Sequence, residues 1–185
     1  MINSLIQPGQ TVYLITGRPG TGKTSLIKEA VAEFEGRAGG FYTEEIRSQK
    51  VRVGFRLVTL DGREATLSHT GFSKRYRVGK YGVDIESLER VGVSALQRAA
   101  RQCDLVVIDE IGKMELFSAA FREAVLQITG SGQKVLGTIM LDFNPWTDVI
   151  KKQPQASLVE VTRVNYPQVL EDLRHWLRFT KSLKV

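Results

Sequence analysis

The sequence has little histidine, little proline and a single cysteine: two, five and one in 185 residues. Cys103 has no internal partner, so no disulfide can support the fold, which fits a reducing, cytoplasmic setting. It stands at the start of an apolar run and reads as a packing residue. His69 and His175 have no metal-ligand partner at useful spacing and read as surface or packing residues. No run of eighteen apolar residues exists, so no membrane-spanning helix is expected. The opening MINSLIQPGQ has no basic stretch followed by an apolar one, so no secretory leader is expected either. Internal repeats and low-complexity tracts are also lacking.

Acid is scarce in one place. From Arg47 to Lys80 there are nine basic residues against two acidic ones, which makes that segment +7 in a chain of net +6. The basic excess is therefore local. It fits a basic lid over a polyanionic small ligand, with a nucleic acid as the less favoured alternative.

The remaining composition is ordinary: 42% apolar and 25% charged. A length of 185 residues suits one domain, 1–185, with an insertion at about 47–80. Short apolar runs are expected as strands at 11–16, 40–46, 105–109, 134–140 and 157–162. Helical spacing of apolar residues marks 24–34, 85–101, 118–129 and a final helix after Asn165. Asp84, Ser118 and Asn165 are placed as helix caps, and Asn144-Pro145 starts a short helical turn. The inner side of helix 85–101 is expected to be Leu88, Val91, Ala95, Leu96 and Ala99. That of the final helix is Val169, Leu170, Leu173, Trp176 and Leu177. Residues 51–67 alternate in polarity around Asp61-Gly62, a strong hairpin signal. Strands that alternate with helices predict an α/β fold with a mostly parallel sheet, helices on both faces and a β-hairpin insertion. In such sheets ligands bind at the carboxyl ends of the strands.

Two segments carry chemistry. GRPGTGKT, at Gly17, Arg18, Pro19, Gly20, Thr21, Gly22, Lys23 and Thr24, matches the phosphate-binding pattern G-x-x-x-x-G-K-[ST] between a strand and a helix. Glycines let its backbone N–H groups turn inward around phosphate oxygens, and the helix N-terminus adds partial positive charge. Lys23 is placed on the β- and γ-phosphates and Thr24 on Mg²⁺. The second segment, CDLVVIDEIGKME, ends a buried strand in two carboxylates. Burying them is costly unless a positive group meets them. Mg²⁺ held by Thr24 is that group for Asp109, and Glu110 is then positioned to orient or deprotonate the attacking water. An ion pair between Glu110 and Lys113 is the bland alternative.

With GRPGTGKTSL and LVVIDEIGKMEL placed, the chain resembles a small family of P-loop nucleoside triphosphatases. It is known from thermophilic prokaryotes and as the human cancer-related nucleoside triphosphatase. GGFYTEEIR, VGFRLVTLDG and VGKYGVDIESLE are similar too, so the resemblance runs from about Thr11 to Asn165. It implies slow hydrolysis of ATP, GTP, CTP and UTP to diphosphate and phosphate. It also implies a nucleotide site over Gly17–Thr24 and over Leu105, Val106, Val107, Ile108, Asp109, Glu110, Ile111 and Gly112. One departure stands out: the family's Asn-Arg-Asp is Asn165-Tyr166-Pro167 here, which puts base contacts near Asn165 in doubt. Tyr166 is either a stacking surface for a base or a plain surface aromatic.

Transition-state charge calls for a further cation, worth ~10³–10⁵ in rate where an arginine supplies it. Lys113 is the first candidate for a catalytic role beside Lys23 and Glu110, with pairing to Glu115 as the alternative. Arg47 and Arg56 are others, and Thr138 is a candidate sensor of the γ-phosphate. Two competing readings are a kinase for a nucleoside or other small acceptor and a nucleic-acid-binding ATPase switch. The adjacent Asp-Glu pair favours hydrolysis. The lack of any known RNA- or DNA-binding motif disfavours the switch. A monomer is favoured.

Overall fold

The computed structural model describes residues 9–179. Among them, nine strands form one sheet in the order β5-β6-β4-β3-β2-β7-β8-β1-β9. The strands are β1 (Val12–Thr16), β2 (Ala38–Ser48), β3 (Val51–Thr59), β4 (Glu64–His69), β5 (Arg77–Val78), β6 (Tyr81–Val83), β7 (Leu105–Ile111), β8 (Lys134–Ile139) and β9 (Ala156–Glu160). The helices are α1 (Lys23–Ala32), α2 (Ile85–Ser87), α3 (Ser94–Gln102), α4 (Ala119–Gly130), α5 (Pro145–Lys151) and α6 (Tyr166–Phe179). This is an α/β architecture, as the sequence predicts.

The run β2-β7-β8-β1-β9 is parallel throughout. Its strands are buried on both faces, and alternate residues serve opposite sides. Val12, Leu14, Val106 and Ile108 face one core with Leu96, Phe121 and Val125. Tyr13, Ile15, Leu105 and Val107 face the other with Leu26, Ile27, Leu173 and Trp176. Helices therefore cover both faces, as the alternation of elements implies.

The β3–β4 hairpin turns near Asp61-Gly62 as expected. It is continuous with the main sheet, because β3 also pairs antiparallel with β2. The β2–β3 turn is made by Gln49 and Lys50, both at positive φ (46° and 68°), without glycine or asparagine. β4, β6 and β5 continue the antiparallel extension to the sheet edge.

Two expectations need correction. The segment after Asp84 is interrupted by a π-helical turn, Leu88–Val93. The inserted residue rotates the inner face, so Gly92 and Val93 are buried where Val91 was expected. Asn165 does not cap α6 with its side chain. Its Oδ1 accepts from the Thr162 N–H (2.7 Å) and its amide donates to the Glu160 carbonyl (2.9 Å). The other caps stand: Ser118 accepts from the Phe121 N–H, Asn144 from Trp146 and Thr147, and Asp84 from Ser87. Cys103 packs half-buried against the core.

Candidate active site

The Gly17–Thr24 loop joins β1 to α1, at the carboxyl end of the parallel sheet. Its conformation depends on glycines. Gly22 lies at φ +89°, and a Cβ there would come within 2.9 Å of the Tyr166 ring. Tyr166 thus packs against the loop from α6, with its hydroxyl donating to Glu29 at 2.9 Å. Lys23 turns its ammonium onto the carbonyls of Gly17 (2.9 Å) and Arg18 (3.2 Å).

β7 lies two strands from β1 and brings the carboxylates to the same rim. The Thr24 hydroxyl donates to Asp109 Oδ2 at 2.7 Å, and the Thr138 hydroxyl to Oδ1 at 2.5 Å. Asp109 is 2% exposed. Burial pushes its carboxyl above the usual range, opposed by the two hydroxyl hydrogen bonds and the charge of Lys23. Among the described residues it has no ion pair; two hydroxyl donors and the field of Lys23 meet its charge. That is an environment ready for a cation.

Glu110 is also held up, first by burial and then by the charge of Asp109, against Lys23. Its carboxyl lies over Gly112, where a Cβ would meet Oε1 at 2.7 Å. A third carboxylate stands nearby. Glu115 is 4% exposed and is pushed up to about 8, by burial first and then by Glu110. No sequence signal marked it beyond its place in the KME stretch.

Lys23, Thr24, Glu110 and Glu115 share one cleft of about 690 Å³, and Asp109 lies buried behind Thr24. Gly17, Arg18, Pro19, Gly20, Gly22, Lys23, Thr24, Glu110 and Lys113 line it. Thr21, Asp109 and Gly112 do not, and neither do Leu105, Val106, Val107 and Ile108. Leu105 to Ile108 are interior strand residues that carry Asp109 and Glu110 to the rim. Ile111 is likewise buried. Lys113 pairs with Asp142 at 2.7 Å rather than with Glu110 or Glu115. Arg47 and Arg56 do not line the cleft. Arg47 pairs with Glu45, and Arg56 with Glu44 and Glu64. The arginine in the wall is Arg52, paired with Glu45 at 2.8 Å and donating to the Tyr81 hydroxyl at 3.1 Å. In all, five of the nine basic residues of 47–80 are in ion pairs: Arg47, Arg52, Arg56, Arg63 and Lys74.

A phosphate loop, a threonine–aspartate pair and an adjoining glutamate in one cleft invite comparison with known proteins. The family model described as NTPase matches residues 12–173. The chain belongs to this nucleoside-triphosphatase family. It is 44% identical over 171 residues to the nucleoside-triphosphatase THEP1 of Thermotoga maritima, covering 92% of this chain and 98% of that one. The crystal structure of THEP1 from Aquifex aeolicus superposes with a TM-score of 0.83 at 39% identity, over 90% of this chain and 98% of that one. The solution structure of a human cancer-related nucleoside triphosphatase gives 0.77 at 34% identity, over 92% and 99%. As a family member this chain is a nucleoside-triphosphatase enzyme. No helix among the described residues is long and apolar enough to cross a membrane.

Proposed function

We propose that the cleft binds a Mg²⁺–nucleoside triphosphate, and that water activated by Glu110 splits it into diphosphate and phosphate. The observation that carries this reading is the 2.7 Å contact between Thr24 and Asp109, with Glu110 next in the chain. Thr24 and Asp109 offer Mg²⁺ a hydroxyl and a carboxylate, a donor set suited to an ion that keeps several waters and takes the rest of its ligands from phosphates. Bound there, Mg²⁺ would neutralise phosphate charge.

The chain's own groups do the rest. Backbone N–H groups of the loop hold the phosphates. Lys23 leaves the Gly17 and Arg18 carbonyls for phosphate oxygens, a better partner for an ammonium. Glu110 orients a water toward the γ-phosphorus and accepts its proton. Lys113 is the candidate for the additional cation, released from Asp142, and Arg52 is the next.

Broad base specificity follows from what the base would meet. The amide of Asn165 is committed to Thr162 and Glu160, and Tyr166 to Gly22 and Glu29. Neither is left to read a base edge. The single half-buried cysteine suits the reducing cytoplasm.

The test is phosphate release from ATP, GTP, CTP and UTP with Mg²⁺, for the wild type and Glu110→Gln. All four should be turned over. The variant should bind nucleotide yet lose about 10²-fold or more in turnover, the scale of a lost general base. An unchanged rate in Glu110→Gln rejects the role given to Glu110.

A further inference from the structure

The cleft is larger than a triphosphate group requires, and part of its lining is apolar. At about 690 Å³ it lies in the range of cavities that enclose whole organic ligands. Beside the loop with Lys23, its lining includes the apolar Phe55, Leu67, Val78, Met114 and Ile139, with Thr43, Glu45 and Arg52 among them. Phosphate oxygens gain nothing from those apolar side chains, since apolar groups cannot replace the hydrogen bonds lost to water.

The strand order places this chamber relative to the nucleotide. Moving across the sheet from the loop after β1, one meets β8, then the carboxylates on β7, then β2, β3 and β4. The γ-phosphate faces the carboxylates. Phe55, Leu67 and Val78 lie farther along the same direction, on β3, β4 and β5. A nucleotide whose γ-phosphate faces the carboxylates would direct its nucleoside the other way, toward β9 and α6. The chamber therefore opens on the side of the γ-phosphorus opposite the leaving diphosphate, the side an in-line nucleophile must use.

Charge narrows the occupant. Outside the loop, the wall's cations are Arg52 and Lys113. Each is paired with a carboxylate of the same wall: Glu45 at 2.8 Å and Asp142 at 2.7 Å. Glu110 and Glu115 then leave the chamber with an excess of carboxyl groups. An anionic second ligand is disfavoured, and a neutral one with an apolar face and hydroxyl groups is suited.

We propose that the chamber binds a neutral nucleoside as an alternative acceptor of the γ-phosphoryl group. This rests on the role given to Glu110 above. The base lies against Phe55 and its apolar neighbours, and a ribose hydroxyl takes the place of the attacking water. That hydroxyl gives its proton to Glu110 as its oxygen bonds to the γ-phosphorus. The bond from phosphorus to the β–γ bridging oxygen breaks, and its electron pair leaves with the nucleoside diphosphate. The products are a nucleoside monophosphate and a nucleoside diphosphate, and the proton passes to solvent.

The experiment uses the full chain with Mg²⁺, γ-labelled ATP and millimolar adenosine, guanosine, cytidine, uridine or thymidine. Labelled monophosphate is separated from labelled phosphate. At least one nucleoside should become labelled and lower phosphate release by the amount transferred. Val78→Trp, which fills the chamber, should reduce transfer by about tenfold or more, the scale of a disrupted apolar pocket. Its phosphate release without nucleoside should be unchanged. Phe55→Leu is the second variant, should the first fold poorly, and carries the same expectation. Normal phosphate release with no labelled monophosphate from any of the five overturns the proposal. So does inhibition of release without a labelled product. Transfer without release in the absence of nucleoside upholds the chamber and rejects water activation by Glu110.

Discussion

The hydroxyl of Thr138 donates to Oδ1 of Asp109 at 2.5 Å, inside the sheet where both residues are almost fully buried. The contact crosses from β8 to β7 and fixes which carboxylate oxygen is turned toward Thr24. Thr138 was a candidate γ-phosphate sensor on sequence grounds. Its geometry gives it a positioning role on Asp109 instead.

Thr138→Val keeps the shape and removes the donor. The concentration of Mg²⁺ needed for half-maximal phosphate release should rise about 10-fold or more, the scale for partners that orient a ligating group. Thr138→Ser should restore most of it. A Mg²⁺ titration that does not move in Thr138→Val rejects the positioning role.

Tyr166 supports the loop from behind through Gly22. Tyr166→Ala should loosen the loop and raise KM for ATP by about tenfold, because small displacements of phosphate-binding groups are costly. Tyr166→Phe keeps the ring and loses only the 2.9 Å hydrogen bond to Glu29. Steady-state kinetics should find it near the wild type. If Tyr166→Phe is impaired as much as Tyr166→Ala, the hydroxyl and not the ring supports the loop; if neither is impaired, Tyr166 does not support it.

Glu115 gives the fold a pH dependence of definite sign. Its carboxyl is raised from 4.5 to about 8 by burial and by Glu110. Between those values the native state holds a proton that the unfolded chain has released, so Glu115 lowers stability as pH rises through that window. Glu115→Gln removes the effect. In urea titrations without nucleotide or Mg²⁺, the variant should gain on the wild type from pH 5 to pH 8 and level off above. Parallel midpoints at all pH values would contradict the burial of an ionisable carboxyl there.

Ser118 caps α4 through the Phe121 N–H (3.0 Å) and donates to Glu89 at 2.7 Å in the π-helical turn. Ser118→Ala should cost about 1–2 kcal/mol, the upper range for a lost cap. Ser118→Thr should cost less. Urea midpoints for both variants check this, and an unchanged midpoint in Ser118→Ala would show the cap to be dispensable.

Sequence was informative where local chemistry and fold agree. The glycines and Lys23 after β1, and the apolar run before Asp109, signal their own geometry, because a loop around phosphates and a strand buried on both faces admit few residue types. The β2–β3 turn was not legible: Gln49 and Lys50 adopt positive φ only because the flanking strands hold them there. Val91 was misplaced because a π-helical turn leaves no mark in apolar spacing. Arg52 was missed beside Arg47 and Arg56 because strand alternation alone does not say which of three arginines looks into the cleft. Glu115 drew notice only as an alternative partner of Lys113, and only tertiary packing buries it.

β1 is made early in the chain, yet its neighbours in the sheet are β8 and β9. The phosphate loop therefore cannot be seated on either side until strands more than a hundred residues later have formed. During synthesis the first strand must wait, apolar on both faces, for the last ones to flank it. Nucleotide can therefore stabilise only a chain in which β8 and β9 have formed, and its capture would report late folding of this sheet rather than guide its beginning.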